Sequence, residues 1–207
     1  GRPFWRWTSP EQTETFLGEL NRGGRFKPRS EVETDETWRQ VIPYLLLRAP
    51  DGGYFTYQRL PASGEARLVD LHSLGVGGHI NDEHLVPGLS WSSPALGPNL
   101  IADGLQRELT EELVLPAGEL GTLQLHGFLA LTETPVDRVH LGVVVVLSLG
   151  AEAVAGCDVR ERDKLQAVGW FPPRELVGLA RQVPFEGWSR TLIEAGLPGG
   201  TRREIEP

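Results

Sequence analysis

The chain contains no methionine and a single cysteine, Cys157, among its 207 residues. One cysteine cannot build an internal disulfide framework, and a cytoplasmic home is the expectation that follows. Without methionine the chain is expected to have lost its initiator residue, and no secretory signal is read in it. Basic residues are outnumbered: 20 Lys and Arg against 28 Asp and Glu give a formal charge of −8. A surface for a nucleic-acid backbone needs clustered cations, so the charge balance argues against that class. A small phosphorylated ligand is not, because a few arginines and a metal ion meet its charge locally. No apolar run reaches the roughly 18–20 residues of a membrane helix. The longest, residues 141–149, suits a buried strand. With 40% apolar residues, the length fits one domain with a proper core, or one domain plus a short extension.

What is present falls into two textures. Residues 1–39 are polar with scattered aromatics and read as an N-terminal extension. Within it, Ser9-Pro10-Glu11-Gln12 is an N-cap, a first-turn proline and a capping-box glutamine, opening a helix expected to end near Leu20. Trp5, Trp7 and Phe16 are expected to fasten this arm to the main body rather than to bind ligand. Residues 40–207 form the main domain. Two β-prone runs, 41–48 and 54–60, flank Pro50-Asp51-Gly52-Gly53 and read as a hairpin. Residues 68–74 read as another strand, running into Gly75-Val76-Gly77-Gly78-His79. A Pro- and Gly-rich stretch, 81–98, precedes a helix capped near Asn99. Strands follow near 123–131, 139–149 and 167–171. Pro172-Pro173-Arg174-Glu175 opens a helix to about Arg181, and a last helix spans 186–195 and stops at Gly196. The order predicts a mixed sheet covered by helices.

The acidic helix carries the strongest chemical signal, Arg107-Glu108-Leu109-Thr110-Glu111-Glu112. Residues three and four apart are neighbours on a helix, so Glu108, Glu111 and Glu112 share one side. Leu105, Leu109, Leu113 and Ala102 fall on the adjoining apolar stripe. Like charges at such spacings each cost about 0.2–0.5 kcal/mol when exposed, and more beside a core. A hard divalent cation such as Mg²⁺ reverses that penalty, because carboxylate oxygens are its preferred protein ligands. Gly104, one turn earlier on that face, is expected to leave room for a bulky ligand. The plainer alternative is a solvated acidic face, with Arg107 pairing to Glu111.

With the glycines before it and the sheet around it, Arg107 to Glu112 resembles the signature helix of the Nudix hydrolases. That family's box ends in Arg-Glu-apolar-x-Glu-Glu, which Arg107, Glu108, Leu109, Glu111 and Glu112 match, with Leu115 beyond. The first half departs: Asn99 stands where the box has glutamate, the box glycine is best matched by Gly78, and the loop between is longer. Val114 replaces the usual glycine. Gly75-Val76-Gly77-Gly78-His79-Ile80-Asn81, Arg138-Val139-His140-Leu141-Gly142 and Glu186-Gly187-Trp188-Ser189-Arg190 resemble a bacterial Nudix subgroup of predicted phosphoesterases. The resemblance covers roughly residues 40–195.

It implies an α/β fold, a Nudix-type α/β/α sandwich with a mixed sheet. It also implies hydrolysis of a diphosphate linkage, typically in a nucleoside diphosphate joined to another group, with Mg²⁺ or Mn²⁺. Glu108 and Glu112 would be the principal metal ligands, with Glu111 a further ligand or a water-orienting base. A carbonyl of Gly77 or Gly78 would complete the set, since glycine lets the chain approach a metal closely. Arg107 would position Glu111 and the preceding loop. Glu161, in a charged loop before Gly169-Trp170-Phe171, is the leading candidate for general base, with Asp163 as competitor. Asp82, Glu83 and His84 are further candidates. Arg59 would contact phosphate, or face water at a strand edge. His79 would touch substrate, or only close the glycine turn. His140, in an apolar strand, reads as a structural histidine, and Trp91 either stacks on a base or packs its loop. The alternative reading is a Nudix-derived domain that binds a nucleotide and senses it without cleaving. Homodimers are a further expectation, with no diagnostic seam in the sequence.

Overall fold

The computed structural model describes residues 4–7, 9–63, 66–81, 100–116 and 121–197. Two strands form its centre, β2 (Gln40–Arg48) and β8 (His140–Leu149), which run parallel from Gln40↔His140 to Arg48↔Ser148. Both are near-continuous apolar runs, as strands covered on both faces must be. Beyond β8 lie β7 (Gly121–Ala130) and then β1 (Phe4–Trp7), both antiparallel to their neighbours. Beyond β2 lie β3 (Tyr54–Arg59) and β10 (Leu165–Phe171). Residues alternate across this sheet. Leu45 and Leu47 point toward Ile101, Leu105 and Leu109 of α3 (Leu100–Glu112). Tyr44 and Leu46 point toward Leu176 of α6 (Pro173–Leu179) and toward Leu192 and Ile193 of α7 (Gly187–Ala195). The result is the expected α/β/α sandwich with a mixed sheet.

The β2–β3 hairpin turns at Gly52, whose φ of +87° favours glycine, but the two strands pair only at Arg48↔Tyr54. Farther on they part. A short segment crosses the opening: β4 (His72–Ser73) pairs with β3, and β5 (Gly75–Gly77) pairs with β2. This crossing carries Gly78 and His79 to the end of the sheet where β2 and β8 begin.

Several expectations need correction. Residues 68–74 do not form one strand. A 3₁₀ turn at Ala66–Leu68 and Asp70, at φ +64°, fold the chain back onto the end of β3. There the Asp70 N–H donates to the Arg59 carbonyl and the Arg59 N–H to that of Leu71. The helix opened by the Ser9 capping box, α1 (Pro10–Gly23), passes Leu20 and ends where the Gly24 N–H caps the Leu20 carbonyl at 2.8 Å. Phe16 packs its ring 4.1 Å from that of Phe128 on β7. Short elements not foreseen are β1, α2 (Arg29–Val32), β6 (Leu113–Val114), α4 (Pro135–Arg138), α5 (Ala151–Gly156) and β9 (Asp158–Val159). Asp82, Glu83, His84, Trp91, Pro98 and Asn99, for which roles were expected, lie outside the described residues. No helix among the described residues is long and apolar enough to cross a membrane.

Candidate active site

The helix α3 buries Ile101, Ala102, Leu105 and Leu109 against the sheet. Its rotation treats the three glutamates differently. Glu108 is drawn into the core margin at 6% exposure. Glu112, one turn on, has a side chain 16% exposed, while that of Glu111 is 57% exposed. Burial raises the carboxyl of Glu108, against the opposing charge of Arg107. Burial also pushes Glu112 up to about 7; Arg59 opposes this, and Glu108, Glu161 and Glu111 add to it.

Gly78 lies directly against this helix. A Cβ there would sit 2.1 Å from Glu108 Oε1, so only glycine lets the turn pass the carboxylate. Arg107 closes the arrangement. It pairs with Glu108, donates from Nη1 to Glu111 Oε2 at 2.9 Å, and donates from Nη2 to the His79 carbonyl at 2.8 Å. One guanidinium thus ties two glutamates to the glycine turn. Gly104 departs from expectation. A Cβ there would meet Pro43 and Ile80 at 3.2 and 3.4 Å, so the missing side chain serves helix–sheet packing and not a ligand.

Arg59 reaches Glu112 from the end of β3, with Nη2 at 3.7 Å from Oε1. The Arg59 Nε and Glu112 Oε2 atoms are buried with no hydrogen-bond partner among the described residues. Such orphans are costly, and two in one site point to groups meant for a ligand. Tyr57 steadies this corner: its buried hydroxyl donates to the Gly75 carbonyl at 2.8 Å and accepts from Arg59 Nη2 at 3.3 Å. Sequence reasoning missed Tyr57. The available signal was its place two residues before Arg59, hence on the same strand face.

Glu161 is brought to the same end of α3. The pairs Leu113↔Val159 and Val114↔Asp158 join β6 to β9, and the Arg160 N–H donates to the Glu112 carbonyl at 2.8 Å. The Glu161 carboxylate itself is held by Lys164 at 2.7 Å. Val114, where the family prefers glycine, is an exposed residue of β6.

On the other side of the crossing segment, Tyr44 donates to Glu186 Oε1 at 2.5 Å and lies 2.8 Å from Ser189 Oγ. Glu186 caps α7 by accepting from the Trp188 and Ser189 N–H groups. Ser189 Oγ in turn accepts from the Leu74 N–H. The Glu186-Gly187-Trp188-Ser189 motif therefore fixes the glycine strand from behind. His79 and His140 meet at 3.2 Å between their Nε2 atoms, and His140 Nδ1 faces the Val136 carbonyl at 2.6 Å. That carbonyl requires a proton on Nδ1, so neutral His140 accepts from His79 Nε2–H. Burial lowers His140, which favours the neutral ring. His140 is thus bonded at both nitrogens, the structural histidine expected.

A cleft of about 720 Å³ opens here, lined among others by Arg59, Gly77, Gly78, His79, His140 and Trp188. Among the described residues, no three His, Cys, Asp or Glu side chains converge as a metal cage. Mg²⁺ does not ask for one: it keeps several waters and is bound through one or two carboxylates plus substrate phosphates. Glu108 and Glu112, one orphaned oxygen and the adjacent Gly78 backbone fit that requirement. Glu111, turned outward onto Arg107, is not gathered with them.

No family model matches the chain. It is 29% identical over 180 residues to protein YmaB of Bacillus subtilis (strain 168), covering 86% of this chain and 81% of that protein. Among solved structures, that of Tm1382, provisionally named a Nudix hydrolase, superposes with a TM-score of 0.66 at 28% identity. The match covers 94% of this chain and 87% of Tm1382. With the acidic helix, the glycine turn and the mixed sheet in these positions, the chain has the Nudix hydrolase fold and is similar to that structure over most of its length.

Proposed function

We propose that the protein hydrolyses a diphosphate linkage in a nucleoside diphosphate derivative with the help of Mg²⁺ or Mn²⁺. The observation that carries this reading is the pair of buried, unpartnered atoms on Glu112 and Arg59 beside the Gly78–Glu108 contact. A carboxylate oxygen seeking a cation and a guanidinium N–H seeking an anion fit the two halves of a metal–diphosphate ligand.

Glu108, Glu112 and a carbonyl of Gly77 or Gly78 would hold the ion. When bound, it neutralises phosphate charge and lowers the pKa of water. Arg59, on the cleft wall, binds a phosphate oxygen. His79 shapes the cleft beside it. Arg107 holds Glu108, Glu111 and the His79 carbonyl in place. The water oxygen attacks one phosphorus, the bridging P–O bond breaks, and the water proton passes to a carboxylate. Glu161 is the assigned base, released from Lys164; Glu111 is the alternative. Residues 29–34 of the N-terminal segment reach the cleft through Arg29, Glu33 and Thr34, so this arm takes part in substrate choice.

The test is Mg²⁺-dependent product release from a panel of nucleoside diphosphate derivatives. Release by the native protein supports the enzyme. Tight nucleotide binding with no turnover of any compound supports a sensor instead.

A further inference from the structure

Two segments that line the cleft are held very differently. One is α4 with the first residues of β8, which contributes Val136, Asp137, Val139 and His140. Its turn is closed by the Thr134 capping box, by Pro135 in the first helical turn and by the bond between His140 and the Val136 carbonyl. Arg138 stands on this turn and is itself tied down, with Nη1 donating to the Thr132 carbonyl at 3.3 Å.

The other segment leads from α1 to β2 and reaches the cleft through Arg29, Glu33 and Thr34. Between residues 26 and 38, Val32 is the one buried residue, while Phe26 and Trp38 stay 48% and 38% exposed. The helix α2 within it has four residues and no side-chain cap, too short to hold its own shape. Arg29 bonds Glu33, Lys27 pairs with Glu31 and lies 4.8 Å over the Trp38 ring, and Asp35 accepts from Thr37. Each of these joins the segment to itself. Among the described residues, one hydrogen-bonded ion pair joins residues 26–38 to another part of the chain: Arg138 Nε donates to Glu36 Oε1 at 2.5 Å.

A segment that buries so little apolar surface opens locally at a cost well below that of global unfolding. At its upstream end Gly23 and Gly24 adjoin, and a Cβ on Gly23 would meet nothing within 4 Å, which leaves room to pivot. At its downstream end the Gln40 N–H bonds the Val139 carbonyl at 2.7 Å and β2 begins.

We infer that residues 26–38 are a strap that swings off the cleft to admit substrate and release product, with the Glu36–Arg138 pair as its latch and Val32 as its seat. The inference rests on the cleft being the site of the proposed hydrolysis, and adds how that site is entered. Arg138 is the fixed post and Glu36 the moving partner, since the Arg138 side chain is 30% exposed and that of Glu36 56%.

The experiment puts a thiol at the seat, Val32→Cys, in the full chain carrying Cys157→Ser, and follows its labelling by a soluble thiol reagent. An opening strap exposes position 32 while the domain stays folded, so labelling should be indifferent to low urea. Glu36→Gln should speed it about two- to fivefold, the worth of an exposed ion pair, and Glu36→Lys should speed it further. Mg²⁺ with a non-hydrolysable nucleoside imidodiphosphate, well above its Kd, should slow it at least about tenfold. Trypsin cleavage after Arg29 in the unsubstituted protein gives the same reading without the thiol: Glu36→Gln should speed it and the bound probe should slow it. Labelling that rises steeply with urea and ignores both Glu36 variants overturns the inference, and the segment is then a fixed wall. So does labelling that the bound probe leaves unchanged. A native protein that binds no such probe is a different failure, that of the hydrolase reading, and labelling without ligand still decides whether the strap opens.

Discussion

Gly78 and Glu108 occupy each other's space: the point where a Cβ of residue 78 would lie is 2.1 Å from the buried Glu108 carboxylate oxygen. Gly78 is not among the described glycines with positive φ, so the requirement is close approach and not backbone conformation. Gly78→Ala should therefore displace Glu108 or the turn. We expect turnover to fall about a hundredfold, with a stability loss of about 1–3 kcal/mol from overpacking. Steady-state kinetics with thermal unfolding checks both, and an alanine variant of native turnover would contradict the contact's role.

Glu112 sets a pH dependence whose sign follows from its burial. Its carboxyl is raised to about 7 from an ordinary 4.5. Between these values the unfolded chain has ionised while the folded one still holds its proton. Stability from this group is thus full below about 4.5 and is lost as pH rises through about 7. Without added metal, the native protein should lose stability relative to Glu112→Gln between pH 5 and pH 8. Metal binding requires the ionised form, so Mn²⁺ affinity should weaken about tenfold per unit below pH 7. Calorimetric titration at pH 6 and pH 8 gives the comparison, and equal affinities would remove Glu112 from the ligand set.

Tyr57 is expected to act through Arg59 and the glycine strand. Tyr57→Phe removes one of two side-chain donors to the buried Gly75 carbonyl, leaving Ser73 Oγ at 3.1 Å, and takes an acceptor from Arg59. The cost should be about 0.5–1.5 kcal/mol of stability. KM for the diphosphate should rise severalfold while kcat changes less, because the role proposed for Arg59 is to bind the anion and not to exchange the proton. A fall confined to kcat would argue against this positioning role.

Arg107 unites three partners from α3 and the glycine turn. Arg107→Ala leaves Glu108 buried without its counter-ion, and breaking such a pair costs about 3–5 kcal/mol. Both stability and turnover should fall. A protein fully stable and active after this change would show that the turn is held by other means.

The strong periodic elements were legible because their causes are local. The near-continuous apolar runs of β2 and β8, the apolar stripe of α3 and the capping box of α1 are all written within a few residues. The glutamates and Gly78 could be singled out for the same reason. What the sequence left open depends on distant pairing. The divergence of β3 from β2, and the crossing that fills the gap, follow from hydrogen bonds between residues far apart in the chain. Residues 68–74 have strand-like composition, but Asp70 and Leu71 bond back to Arg59 and bend the run. The bond from Tyr57 to the Gly75 carbonyl and the link from Tyr44 to Glu186 and Ser189 could not be read locally, because the partners lie far apart in the chain until the fold brings them together. The unequal burial of Glu108, Glu111 and Glu112 likewise depends on which side of α3 meets the sheet, and the spacing of the glutamates alone treats all three alike.

The most direct measurement is product release from nucleoside diphosphate derivatives by the native protein and by Glu112→Gln, each with and without Mg²⁺. The account predicts turnover by the native protein that needs the ion and falls at least a hundredfold in the variant, with the fold of both preserved by circular dichroism. Turnover that is indifferent to Mg²⁺, or equal in the two proteins, would contradict it.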